Sequence, residues 1–181
     1  MPSAKIIKGE LSYLNASAKP EQRVVFQFNP ERLTRRQAYT EQTKTLSESI
    51  HFTLVLNAMQ GMEQGLPTAM ETGIYPHIAA LEELLARTSK PLPINLPAWL
   101  TPSRKAGLLV LTYGARIIPV SLQRLTIKEL LHNSQLQPIH ASVDLTLRVL
   151  TEQDLRGNAL GQAALTAYQQ YRHRNAQLIQ T

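Results

Sequence analysis

Hydrophobic residues change their period several times along this chain, and each change marks a candidate element. The plainest stretch is 139–150, where Ile139, Ala141, Val143, Leu145, Leu147 and Val149 alternate with His140, Ser142, Asp144, Thr146 and Arg148. A period of two puts successive side chains on opposite faces, so the stretch predicts a long strand with one apolar and one polar face. Ile50, Phe52, Leu54 and Leu56 repeat the pattern, with His51 and Thr53 turned the other way. Residues 107–113 are apolar at both phases, as expected of a central strand. The run 117–131 passes through Val120, Leu122, Leu125 and Ile127 with one phase shift near Gln123 and Arg124, which predicts a bulge or a bend between sheets. Residues 23–28 form a short β-branched and aromatic run stopped by Asn29 and Pro30, a strong breaker pair. Residues 5–13 alternate imperfectly, and the polar stretch 31–48 reads as either an extended edge hairpin or a mobile loop.

Helical spacing occurs twice. Ile74, Ile78, Leu81 and Leu85 keep an i, i+4, i+7, i+11 stripe, with His77, Glu82 and Glu83 largely off it, and Pro76 fits the first turn. After Arg156, Gly157 and Asn158, the residues Leu160, Ala164, Ala167 or Tyr168, Tyr171 and Leu178 predict a C-terminal amphipathic helix. Residues 59–72 hold two glycines and a proline among polar residues and read as a loop. Four prolines within 89–102 (Pro91, Pro93, Pro97, Pro102) predict an extended connector. The plan is mainly β (α+β): a β-barrel or two-sheet sandwich with one packed helix, spanning 1–156, followed by a helical extension over 157–181.

Composition narrows the classes. A chain of 181 residues, 43% hydrophobic and 18% charged, suits one self-supporting domain. The absence of cysteine removes disulfides, thiolate metal sites and cysteine nucleophiles. The first ten residues lack the apolar core of a signal peptide, and no window approaches the ~18 apolar residues of a membrane span. Synthesis in the cytoplasm without membrane insertion is the expectation. The formal charge is +6, but the positives are dispersed and aromatics make up only 6%, leaving few platforms for stacked bases. Nucleic acid is therefore not expected as the main partner.

Candidate chemistry is sparse. His140 and Asp144 share a strand face but lie roughly 13 Å apart at strand rise, too far for one ion without other ligands. The segment from Gly61 to Gly65 lacks the lysine and the strand–loop–helix order of a phosphate loop, and no Gly-x-Ser-x-Gly elbow occurs. Glu82 and Glu83, neighbours on a helix, point apart. Met59, Met62 and Met70 read as packing around a loop. No enzymatic activity, cofactor or metal is expected.

Three ordered segments carry a resemblance. The first is Val25-Phe26-Gln27-Phe28-Asn29-Pro30-Glu31-Arg32-Leu33. The second is Leu54 to Ala58, followed after a loop by Gly73-Ile74-Tyr75-Pro76-His77-Ile78-Ala79-Ala80-Leu81-Glu82. The third runs from Leu108 to Gly114 through Ile118-Pro119-Val120 and Leu136 to Ala141 into Leu145 to Leu150. Together they resemble the N-terminal domain of contractile injection system tube proteins, the baseplate adaptors or tube initiators related to phage tail proteins. The resemblance covers residues 23–152. It implies a tail-tube fold, a homo-hexameric ring between the spike–hub and the inner tube, contact with the baseplate wedge, assembly into a tail-like particle or virion, and no catalytic residues. Many members carry a C-terminal LysM module; here about thirty residues follow Glu152 and read as a helix, a departure from that pattern. The expected function is a structural subunit at the base of such a tube; the alternative is a basic, β-rich binding module for nucleic acid or effector cargo. Phe28, Asn29, Pro30, Leu33, Ile74, Tyr75 and Pro76 are candidate fold or assembly positions. His140, Ser142, Asp144, Thr146 and Arg148 are candidate lumen or polar-face positions.

Overall fold

The computed structural model describes residues 6–41, 45–88 and 107–179. Seven strands, β1 (Glu10–Leu14), β2 (Pro20–Val25), β3 (Leu33–Thr40), β4 (Thr45–Asn57), β5 (Leu108–Tyr113), β6 (Arg116–His132) and β7 (Pro138–Val149), form one sheet in the order β2-β1-β5-β6-β7-β4-β3. Every pairing is antiparallel. Among the described residues four helices accompany it: α1 (Met59–Glu63), α2 (Pro67–Thr72), α3 (Tyr75–Thr88) and α4 (Ala159–Gln177). The fold is mainly β within the α+β class.

The period-two strands fold as their pattern requires. Ile50, Phe52, Leu54 and Leu56 of β4 pair across to Leu147, Leu145, Val143 and Ala141 of β7, and all eight are buried on one face. α3 covers that face with Ile78, Leu81 and Leu84, and Ile74 packs there just ahead of the helix. Leu109 and Leu111 of β5 belong to this core, whereas Leu108 and Val110 join Leu155 and Leu165 in a second cluster, so β5 is buried on both faces. The phase shift at Gln123 is a break in the β6–β7 register between Leu122 and Arg124.

Several expectations are corrected. The sheet is neither a closed barrel nor two stacked sheets: β2 and β3 are its two edges. The strand expected over 23–28 ends at Val25, and the chain bends at Gln27 and Phe28, ahead of Asn29 and Pro30. The sheet instead curls until the rings of Phe26 and Phe52 lie 5.5 Å apart. At this seam the Gln27 amide donates to the Asn57 carbonyl at 2.6 Å and accepts from the Asn57 N–H at 2.8 Å. One side chain thus supplies the rung that a continued strand would have made.

Residues 59–72 are not a plain loop but carry α1 and α2, each too short to show a helical period. Gly73 ends α2 at φ +59°, where an added Cβ would lie 2.0 Å from the Pro138 carbonyl oxygen. The stretch 31–48 holds β3 and the start of β4, an edge hairpin. Ile139 is only half-buried, and Ala141 takes the buried place. In α4 the buried positions are Gly161, Leu165 and Tyr168: of the predicted stripe Tyr168 is buried, Leu160, Ala164 and Tyr171 are half-buried, and Leu178 is exposed. The helix rotates because Gly161 lies against Leu155: a Cβ there would come within 2.4 Å of Leu155 Cδ2. The Asn158 side chain caps the helix by accepting from the Gly161 N–H at 2.9 Å. The proline-rich connector at 89–102 falls outside the described residues.

Candidate assembly surfaces

The face of the sheet turned away from α3 is polar over four strands. On β7 the candidate residues His140, Ser142, Asp144, Thr146 and Arg148 all lie on it, half-buried between neighbouring strands. Register places Asn57, Val55, Thr53, His51 and Ser49 of β4 directly opposite them. On the other side Lys128, Thr126, Arg124 and Ser121 of β6 face Ser142, Asp144, Thr146 and Arg148. Thr34 and Arg36 of β3 continue the same face beyond His51 and Ser49.

Hydroxyls and charges interlock across this surface. The Thr53 hydroxyl donates to Asp144 at 2.6 Å, Lys128 approaches the same carboxylate at 3.3 Å, and His51 Nδ1 lies 3.3 Å from the Thr146 hydroxyl. The Thr53 hydrogen bond, opposed by partial burial and aided by Lys128, holds the Asp144 carboxyl below its ordinary value. Arg148 reaches out of the ladder to Asp154 at 2.7 Å. That hydrogen bond, together with the Thr151 N–H and hydroxyl, lowers Asp154 to about 2. Arg36, Arg124, Lys128 and Arg148 outnumber Asp144, so the face is basic.

The other candidate positions converge on one end of the sheet. Asn29 pins the incoming chain, accepting from the Gly9 N–H and donating to the Ile7 carbonyl, both at 2.8 Å. Pro30 is buried, Leu33 packs against the core edge, and Phe28 is exposed beside Val55. Ile74 is buried, with its N–H donating to the Pro138 carbonyl at 2.9 Å, while Tyr75 and Pro76 are exposed on the first turn of α3. Both segments border concavities that share Asn57, so this seam residue joins the two candidate groups. The concavity beside Phe28, Asn29 and Pro30 is also lined by Thr53, Val55 and Asn57, so it adjoins the polar face of β7.

One buried cluster went unanticipated. Glu48 is in phase with Ile50 and Phe52, which puts its carboxylate at the end of the core face, 6% exposed. Arg35 donates to it at 2.8 Å, Gln37 at 3.0 Å, the Tyr168 hydroxyl at 2.9 Å and Arg172 at 3.3 Å. Burial pushes the Glu48 carboxyl up, but the Arg35, Tyr168 and Gln37 hydrogen bonds outweigh it and the net shift is downward. Burial and the Glu48 contact push the Tyr168 hydroxyl up to about 12. A carboxylate standing at a core phase is the signal that could have located the cluster.

Among the described residues, no group of three His, Asp or Glu is placed to hold a metal ion, and no helix is long and apolar enough to cross a membrane. Compared with known proteins, the chain matches no family model and no curated sequence.

Proposed function

We propose that this protein is a structural subunit of a contractile injection system or phage-like tail, forming a hexameric ring at the base of the inner tube. The observation that carries this reading is the four-strand polar face centred on β7, backed by a continuous apolar core. A tube subunit needs such a sheet, dry on one side and hydroxyl-rich and charged on the side lining an aqueous lumen. The edge strands β2 and β3, each paired on one side only among the described residues, support it further. Unpaired edge strands invite pairing with another chain, and head-to-tail contacts that close under rotation remove them. The ordered resemblance of residues 23–152 supplies the hexamer and the spike–hub and tube partners.

The test is assembly. Deleting the gene in its native host, with sheath and spike genes intact, should abolish tailed particles, and complementation should restore them. Six-fold rings should appear in negative-stain class averages of the protein with its tube partner. Normal-length particles in the deletion strain overturn the proposal. A strictly monomeric protein whose DNA affinity falls steeply with salt would favour the basic binding module instead.

A further inference from the structure

The C-terminal half of α4, the turn at Gly114 and the segment 7–9 line an open cleft of about 700 Å3. Three guanidinium groups line it, Arg35, Arg116 and Arg172, alongside Tyr113, Tyr168 and Tyr171, and no carboxylate does. Arg35 and Arg172 share one buried anion, Glu48, at 2.6 and 3.3 Å. Arg116 makes no ion pair among the described residues. It lies over the Tyr113 ring at 5.2 Å and donates to the Tyr113 carbonyl at 3.4 Å. The cleft therefore holds an excess of two positive charges.

From this arrangement we infer that the cleft is a binding site for a multivalent oxyanion, phosphate or carboxylate. A guanidinium is always charged and presents paired N–H donors that match such oxygens two at a time. The usual cost of gathering three of them is entropy and mutual repulsion, and here it is already met. Glu48 fixes Arg35 and Arg172 from behind, and the Tyr168 ring lies 5.7 Å from the Arg172 guanidinium. The Tyr113 ring, 5.2 Å from the guanidinium, orients Arg116. The volume falls in the range of small-ligand sites and exceeds what a single monovalent ion needs. The cleft takes none of the polar-face residues of β7.

Calorimetric titration of the full chain with tripolyphosphate in one arm and citrate in the other tests it. Measured at about 0.15 M salt, where the Debye length is ~8 Å, diffuse attraction to a basic surface is suppressed. At least one arm should bind with one-to-one stoichiometry, and the stronger arm identifies the oxyanion. Arg116→Gln should weaken that binding at least tenfold, as expected for loss of one charged hydrogen-bond partner worth ~1.5 kcal/mol or more. Arg116→Lys, which keeps the charge and is the milder change to the turn, should weaken it less. Arg156→Gln, the same charge change at an exposed turn outside the cleft, should leave affinity within about twofold. No binding in either arm, unchanged affinity in Arg116→Gln, or equal losses in Arg116→Gln and Arg156→Gln overturns the assignment.

Discussion

The two long helices differ in what they bury, although α3 is also tied to β2 at the surface by the Arg87–Glu21 ion pair at 3.2 Å. α3, of 14 residues, lays Ile78, Leu81 and Leu84 on the apolar face of the sheet, with no charge among its buried residues. α4, of 19 residues, buries Gly161, Leu165 and Tyr168, and its Tyr168–Arg172 turn is tied to the hairpin of β3 and β4 by Glu48. Apolar burial is spread over many atoms and indifferent to pH. A buried carboxylate concentrates attachment in one group whose partners must all be present. The first attachment should fail only with the whole fold, the second locally and on demand.

The largest effect should come from the α3 side. Phe52 is fully buried and touches Phe26 across the seam, so Phe52→Ala should cost about 3–5 kcal/mol. Chemical denaturation should show a lower midpoint with one cooperative transition. Loss confined to α4, with the rest of the protein unmoved, would break the distinction between the two attachments.

Next comes Glu48→Gln, which leaves Arg35 and Arg172 without their anion and Tyr168 without its strongest acceptor. Because both arginines retain access to water, a cost of about 2–3 kcal/mol is expected. Hydrogen exchange should speed up across α4 while α3 keeps its protection. Equal loss of protection in both helices would refute local release.

Acid and base should reproduce that release without mutation. The Glu48 carboxyl is held below its ordinary 4.5, so its contribution is present above that value and is lost as pH falls through the folded-state value. The Tyr168 hydroxyl moves the other way. Raised from 10.0 to about 12, it contributes fully below 10 and loses that contribution as pH rises through about 12. Protection of α4 relative to α3 should therefore fall off as pH drops below 4.5 and as it rises above 10, and stay level between them. A flat ratio across the acid limb would show that Glu48 does not hold the helix.

The same contrast explains what was legible in the sequence. The core face of β4 and β7 announces itself, because Ile50 to Leu56 and Ala141 to Val149 repeat a two-residue period long enough to be unmistakable. The bulge at Gln123 was readable for the same reason, as a break in that period. The polar face came with the core, since one phase defines the other. The α4 attachment was not legible: Glu48 and Tyr168 stand 120 positions apart, and no local pattern pairs them. Sheet closure was equally hidden. Periodicity says which way a side chain faces, but barrel, sandwich and open sheet differ only in which edges pair, and that is settled at the Gln27–Asn57 seam.

That seam yields the smallest expected effect and the sharpest local one. Gln27 makes two hydrogen bonds to the backbone of one residue, Asn57, at 2.6 and 2.8 Å, and is half-buried. Gln27→Ala leaves a donor and an acceptor at the end of β4 to find water, which costs about 1–2 kcal/mol. The apolar contact between Phe26 and Phe52 remains, so the curl of the sheet should survive. The Asn57 amide should exchange markedly faster while the amides of Phe52 and Leu54, held by β7, keep their protection. Gln27→Glu retains an acceptor for the Asn57 N–H but turns the donor into a second oxygen facing the Asn57 carbonyl. It should therefore protect that amide more than alanine does and yet gain no stability over it. If the Asn57 amide exchanges at the same rate in all three proteins, the seam is held by the aromatic pair alone.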